Sequence, residues 1–145
     1  MSLFKKILYP TDFSESSIET MACALELAKS NQAELTIFYV DRLNSRTNNP
    51  TLYVSLEQKM REKADKALAE LTKKIPGMSR NDYQLDIGIG DLYERISNKV
   101  ETSNIDLVVI NKELQMQIES TYQIRRVMMF SELSCPVLIL PSYQP

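Results

Sequence analysis

The sequence predicts an α/β protein in which a parallel sheet lies between two layers of helices, a three-layer sandwich. Short apolar runs rich in β-forming residues alternate with longer segments of helical spacing along the whole chain. The resulting order, β-α-β-α-β-α-β-α-β, favours parallel strands joined by right-handed crossovers. A length of 145 residues suits one domain, and no repeat or long linker divides it. We therefore expect residues 1–145 to form a single domain.

The first strand and helix are predicted near the N-terminus. The apolar run Ile7–Tyr9 ends at Pro10, as expected of a central buried strand that stops there. Ser14 then occupies an N-cap position, flanked by a hydrophobic staple between Phe13 and Ile18. Apolar residues keep helical spacing from there to about residue 29, which predicts the first helix.

The second strand and helix follow in the same manner. Leu35–Val40 is apolar and rich in β-forming residues, which indicates a strand. Asp41–Pro50 is polar and turn-rich, and is interpreted as a mobile loop. Helical spacing resumes through Leu56–Leu71 and stops at Pro76–Gly77.

The second half of the chain supplies three more strands. Tyr83–Ile89 alternates apolar and polar residues, which is typical of an edge strand with one wetter face. Asp91, with a glutamate three residues later, makes a capping-box-like start for the third helix. Leu107–Ile110 reads as another buried strand, a helix is predicted over Ile124–Leu133, and Pro136–Leu140 forms the last strand.

The composition excludes several classes of function. A net charge of −2 gives no attraction for nucleic acid or an anionic membrane. No apolar run approaches a membrane span and the N-terminus does not resemble a signal peptide, so we expect a cytoplasmic protein. The chain has no histidine, which removes histidine-activated nucleophiles and most zinc sites, although carboxylate or lysine chemistry stays open. Cys23 and Cys135 are isolated and read as small buried hydrophobes.

Several stretches together resemble the universal stress protein family. The most specific is "ILYPTDFS" at residues 7–14, followed by an amphipathic helix. "DLVVI" at 106–110 resembles the family's fourth strand, and "CPVLIL" at 135–140 its closing strand. The resemblance implies a five-stranded parallel sheet in the order 3-2-1-4-5. Such a sheet has a ligand-binding crevice at the carboxyl ends of strands 1 and 4.

The resemblance also implies which residues form a nucleotide site. The residues matching Asp12 and Val40 hold the adenosine half of the nucleotide in ATP-binding members, and Pro10 and Thr11 line the same turn. Asp12 has an alternative use, because a short acidic side chain ahead of a helix can bond its free N–H groups with no ligand present. Val40 is expected to face the core and to reach a ligand only through its backbone. Asn111 begins the segment on the opposite side of the crevice.

The glycines that cradle phosphates in nucleotide-binding members are missing. That motif needs residues without Cβ so that backbone N–H groups converge on the anion. Here Asn111 and Leu114 stand at the first two glycine positions, and Ile124 or Gln123 stands at the third. Asn111 tolerates a left-handed backbone and is able to make the first turn. Leu114 and Ile124 are expected to crowd the phosphates.

Side-chain cations offer another way to hold an anion beside this segment. Lys112, Arg125 and Arg126 could replace the backbone amides, or could be ordinary exposed charges. The methionines Met116, Met128 and Met129 read as core filler or as an adaptable contact surface rather than as ligands.

The last strand predicts a partner. In the order 3-2-1-4-5 it lies at an edge, where the apolar residues Val137, Leu138, Ile139 and Leu140 would be unpaired. Pairing two copies across a two-fold axis would satisfy both edges. The resemblance implies the same antiparallel homodimer.

Two functions remain open. The first is a homodimeric regulatory or interaction module of the stress response, without a cofactor and without tight ATP binding. The second is a sensor that binds ATP with magnesium, or AMP, in the crevice through Asp12. An enzyme is disfavoured because the sequence offers no catalytic residues that we can assign, although weak nucleotide hydrolysis stays open.

Overall fold

The computed structural model describes residues 3–41, 50–120 and 129–141. Strands and helices alternate along the chain, as the sequence predicts. The elements are β1 Lys6–Thr11, α1 Glu15–Asn31, β2 Glu34–Asp41, α2 Pro50–Lys74, β3 Gln84–Ile89, α3 Leu92–Thr102, β4 Leu107–Asn111, α4 Lys112–Ser120 and β5 Val137–Leu140, with 3₁₀ helices at Arg80–Asp82 and Met129–Glu132. Within the described ranges no helix is both long enough and apolar enough to cross a membrane.

The five strands form one parallel sheet in the order β3-β2-β1-β4-β5. This confirms the predicted topology, with β3 and β5 at the edges. β1 is central, and its neighbours on the two sides come from different halves of the chain. The order therefore reverses between β1 and β4, which is where open α/β sheets bind ligands.

Alternating residues of the strands serve two separate core layers. On β1, Ile7 and Tyr9 pack with α1 and α2, while Leu8 packs with α3 and α4. All three side chains are fully buried. The two layers show why the central strands are apolar at every position rather than at every second one.

The first strand is longer than predicted. It continues through Pro10 to Thr11, with Pro10 opposite Phe38 of β2. Proline is tolerated here because the pairing of β1 with β4 is confined to Ile7 and Leu8. The missing N–H therefore interrupts no ladder on that side of the strand.

The structure contains a helix after β4 that the sequence analysis does not predict. α4 follows β4 directly at Lys112–Ser120, in the segment that was compared with a glycine-rich loop. Of the predicted helix Ile124–Leu133, residues 124–128 lie outside the described part of the chain, and Met129–Glu132 is a 3₁₀ helix. The predicted loop is likewise beyond description at residues 42–49, while α2 already begins at Pro50, a favoured first-turn residue.

The third helix begins as the sequence predicts. Asp91 is its N-cap, and the Asp91 carboxylate accepts a hydrogen bond from the Glu94 N–H at 3.0 Å. Ser14, by contrast, precedes α1 but makes no side-chain capping bond. The Ser14 side chain therefore leaves the free N–H groups at the start of α1 to other partners.

A glycine in the edge strand β3 makes room for an aromatic ring. A Cβ placed on Gly88 would lie 2.5 Å from Cζ of Phe38, on the neighbouring strand β2. Phe38 is itself buried against α3 and α4. The ring thus covers the part of the sheet that Gly88 leaves bare.

We expect Gly88→Ala to destabilise the protein by about 1–3 kcal/mol, because the added methyl group overpacks the Phe38 ring. Urea unfolding followed by circular dichroism measures this change. In the double variant with Phe38→Leu, the smaller side chain should accept the methyl group, giving a favourable coupling energy of about 0.5–3 kcal/mol. A Gly88→Ala variant as stable as the original protein would contradict this packing.

Candidate functional site

The crevice lies at the carboxyl ends of β1 and β4. The ladder between them stops after Leu8, whereas pairing of β1 with β2 continues to Thr11. Pro10 has no N–H to donate, so it cannot extend a ladder toward β4. One wall of the crevice is the turn after Thr11, and the other begins at Asn111.

The β1–α1 turn is held by its own side chains. The Thr11 hydroxyl accepts a hydrogen bond from the Phe13 N–H at 3.0 Å, and the Asp12 carboxylate accepts one from the Ser14 N–H at 2.9 Å. Asp12 thus bonds a free N–H at the start of α1, which was its predicted alternative use. Its second carboxylate oxygen makes no hydrogen bond or ion pair with any described residue.

Phe13 adopts a backbone conformation that is rare for an aromatic residue. Its φ is 57°, in the left-handed region. The ring packs edge-on against Tyr39 with centroids 4.9 Å apart and planes at 74°. Lys63 of α2 lies over the Tyr39 ring, with Nζ 5.9 Å from its centroid. The aromatic contact and the two side-chain hydrogen bonds offset the strain of the turn.

A cluster of hydroxyl groups is buried between β1 and α1. The Tyr9 hydroxyl donates to the Ser17 carbonyl and shares a hydrogen bond with the Thr20 hydroxyl, while the Thr11 and Ser17 hydroxyls bond each other. Burial raises the pKa of Tyr9 above its usual 10.0. The phenol therefore stays protonated and acts as a structural donor.

Asn111 forms the opposite wall and caps α4. Its side chain is fully buried, and its Oδ1 accepts hydrogen bonds from the Glu113 N–H at 2.9 Å and the Leu114 N–H at 3.3 Å. Its Nδ2 donates to the carbonyl of Ser16, in the first turn of α1, at 3.0 Å. One amide therefore caps one helix and ties it to another.

The cap uses N–H groups of the kind that bind anions in other proteins. Free N–H groups at a helix N-terminus that follows a parallel strand commonly bind a phosphate group. In α4 two of these groups already bond Asn111. A neutral amide oxygen thus accepts the hydrogen bonds that these two N–H groups could otherwise donate to an anion.

The other predicted site residues take differing positions. Thr11 is fully buried, with its hydroxyl among the bonds beneath α1, and Pro10 is buried as well. Val40 is 1% exposed and belongs to the core with α3 and α4, so its side chain faces inward as expected. Lys112 is exposed at the start of α4, and Arg125–Arg126 lies outside the described residues.

One possibility and one expectation for this segment differ from the structure. Asn111 could have used the left-handed region but does not, because it is the last residue of β4 and the non-glycine residues with positive φ lie elsewhere in the described chain. Leu114 does not crowd the crevice, since it is 3% exposed and packs in the core with Ile118. Both differences arise because the helix starts immediately after the strand.

The sequence contains a signal for this cap, although the comparison with a glycine-rich motif did not reveal it. Asparagine is a preferred N-cap residue, and an acidic residue in the first turn, here Glu113, strengthens the pattern. The bond to Ser16 had no such signal, because the two residues are 95 positions apart.

The described residues contain no cluster suited to a metal ion, judged by groups of three or more His, Cys, Asp or Glu side chains. The prediction that both cysteines are buried is wrong for Cys23, which is exposed on α1, while Cys135 is half-buried; neither forms a disulfide. Burial raises the pKa of the Cys135 thiol, which lowers its reactivity.

Comparison with known proteins gives a consistent result. A model of the universal stress protein family matches residues 3–113. The universal stress protein A homolog of Haemophilus influenzae is 26% identical over 150 aligned residues, which cover 96% of this chain and 97% of the relative.

Solved structures share the fold. A universal stress protein family member from Burkholderia pseudomallei superposes with a TM-score of 0.66 at 22% identity, covering 98% of this chain and 99% of the other. A universal stress protein solved in complex with cAMP has a TM-score of 0.63 at 15% identity, with coverage of 98% and 100%. At these identities the similarity shows the fold alone.

We expect Asn111→Ala to lower the free energy of unfolding by about 1–3 kcal/mol, because two N–H groups and the Ser16 carbonyl lose their partner in a buried place. Chemical denaturation measures this loss. Asn98→Ala, on the exposed surface of α3, is the matched control and should change stability by no more than about 0.5 kcal/mol. Equal effects of the two substitutions would show that the cap is dispensable.

Proposed function

The chain belongs to the universal stress protein family, and from this we propose that it is a homodimeric regulatory or interaction module of the stress response that does not bind ATP tightly. No cofactor is part of this function. The protein acts through binding rather than catalysis, and the absence of histidine from the sequence supports that choice. Its cytoplasmic location stays a prediction from the sequence.

The capping of α4 by Asn111 is the observation that carries the proposal. A phosphate group seated at this helix would have to displace Asn111 Oδ1 from two N–H groups. Losing the cap costs about 0.5–2 kcal/mol and losing the bond to Ser16 about 0.5–1.5 kcal/mol. Together these two costs weaken nucleotide binding by about five- to 300-fold relative to a helix N-terminus whose N–H groups are free.

A second function, an ATP or AMP sensor, is supported by a different observation. The second carboxylate oxygen of Asp12 has no partner among the described residues and lies at the switch point of the sheet. It is therefore able to accept a hydrogen bond from a nucleoside. The family member solved with cAMP gives this alternative some weight. It requires the phosphates to be held without the α4 N-terminus.

The homodimer is supported by the character of β5. This edge strand consists of four apolar residues, and its middle residues Leu138 and Ile139 are 39% and 40% exposed. An unpaired apolar edge is a liability that pairing with a second copy removes. A groove of about 340 Å³ continues the apolar surface beside the strand, with Phe130 and Val137 in its wall.

We expect the purified, undialysed protein to release no adenine nucleotide when it is denatured and examined by mass spectrometry. Calorimetric titration with millimolar ATP and magnesium should likewise give no binding heat. In Asn111→Gly the two N–H groups of α4 become free, and we expect ATP binding to strengthen by about five- to 300-fold.

A matched pair of aspartate variants separates the two functions. Asp12→Ala removes the proposed nucleoside contact, whereas Asp91→Ala removes the cap of α3 at another strand–helix junction. Stoichiometric nucleotide in the original protein, lost in Asp12→Ala and kept in Asp91→Ala, would replace our proposal with the sensor. If both variants keep their nucleotide, the proposed nucleotide contact of Asp12 would be refuted as well.

We expect Ile139→Lys to weaken dimer formation by about tenfold or more, because it places a charge on an apolar edge that has to be desolvated on pairing. Sedimentation velocity over a range of protein concentrations measures the change. Val54→Lys, at an exposed apolar residue of α2, is the matched control and should leave association unchanged. A protein that is monomeric throughout that range would refute the homodimer.

A further inference from the structure

A cavity lies at the amino ends of the strands, at the end of the sheet that is opposite to the crevice. Its volume is about 250 Å³. The residues that line it come from β1, β2, β3, α3 and the turn that follows α3: Lys6, Glu34, Thr36, Gln84, Leu85, Asp86, Lys99, Ser103 and Ile105. None of these belongs to the crevice, so the cavity is a separate feature of the fold.

Regular secondary structure holds the cavity walls in place. Lys99 of α3 forms an ion pair with Asp86 of β3 and lies over Phe38 of β2, with Nζ 6.0 Å from the ring centroid. On another side, the Lys6 ammonium donates to the Ser103 carbonyl at the end of α3 at 3.4 Å. Walls fixed in this way favour a preformed binding site over an incidental surface depression.

Thr36 is the feature that the fold itself leaves unexplained. It is only 8% exposed, yet its hydroxyl makes no hydrogen bond with any described residue. No fully enclosed side-chain oxygen or nitrogen in the described structure lacks a partner. The Thr36 oxygen must therefore open onto the cavity that the residue lines. Because the Thr36 hydroxyl is open to the cavity, it can form a hydrogen bond with water or with a molecule that enters there.

The charges around the cavity are balanced and only partly paired. Asp86 is neutralised by Lys99, while Lys6 has a single long hydrogen bond to a carbonyl. The Glu34 carboxylate has no ion pair or hydrogen bond from any described residue. The cavity thus offers one available cation, one available carboxylate and the Thr36 hydroxyl.

We propose that this cavity binds a small zwitterion, a free α-amino acid, with its carboxylate on Lys6 and Thr36 and its ammonium on Glu34. The juxtaposition of opposite charges suits a molecule that carries both, and disfavours a phosphate, which Glu34 would repel. The size agrees, since an apolar cavity of about 150 Å³ holds benzene and drug-sized ligands need about 300–1,000 Å³.

Backbone amide shifts of isotopically labelled protein, recorded during titration with free amino acids such as glycine and L-serine, test this directly. We expect saturable shifts at millimolar concentration, centred on Thr36, Ser103 and neighbouring strand residues. N-acetylserine lacks the ammonium and serinamide lacks the carboxylate, so each should bind about tenfold more weakly or worse. Equal binding of all three compounds would refute the zwitterion.

Two substitutions assign the contacts. Thr36→Val keeps the shape and strand preference of the residue, and should weaken amino acid binding about two- to tenfold with no loss of stability. Glu34→Gln should weaken it by about tenfold or more. Thr72→Val, on α2 across the sheet, is the matched control and should bind as the original protein does. Unchanged binding in Thr36→Val would overturn the assignment.

Two further results would overturn the proposal as a whole. If no amino acid shifts the cavity resonances at millimolar concentration, the cavity is a water-filled gap in the fold. If inorganic phosphate shifts them and amino acids do not, the cavity is an anion site that Lys6 and Lys99 form. Neither result depends on the fate of ATP in the crevice, so this test and that of the proposed function stand apart.

Discussion

The bond between the Asn111 amide and the Ser16 carbonyl joins the two halves of the protein beyond the point where the ladder between β1 and β4 ends. β1 and β4 pair only near their amino ends, so their carboxyl ends need another connection. Asn111 supplies it while also capping α4. Because the amide is fully buried, each of these bonds would be expensive to lose. The capping of α4 and the connection between the two halves of the sheet therefore depend on the same side chain.

The polar side chains at the two ends of the sheet differ in their hydrogen bonding. At the carboxyl end, the hydroxyls of Tyr9, Thr11 and Ser17 and the amide of Asn111 all bond one another or the backbone. At the amino end, the Thr36 hydroxyl faces a cavity without a protein partner. A satisfied network rigidifies a structure, whereas a hydroxyl that is open to a cavity is available to a molecule bound there.

The two edges of the sheet also differ in ways that bear on assembly. β3 carries Asp86 on its inner face, paired with Lys99, and begins with an exposed glutamine. Charged and polar residues of this kind discourage edge-to-edge pairing. β5 has no polar side chain, and both its middle residues are substantially exposed. Association through β5 rather than β3 is thus the assembly that the side chains favour.

The alternation of strands and helices could be predicted from the sequence and, through "ILYPTDFS", so could the family and its sheet order. Hydrophobic periodicity and turn residues are local signals that can be recognised along the chain. Three features became apparent from the folded chain alone: Pro10 stays within β1, a helix follows β4 where a loop was expected, and Asn111 bonds α1. Each of these depends on what a residue meets from a distant part of the chain. Asn111 and Ser16 are 95 positions apart, and no local pattern encodes a contact over that separation.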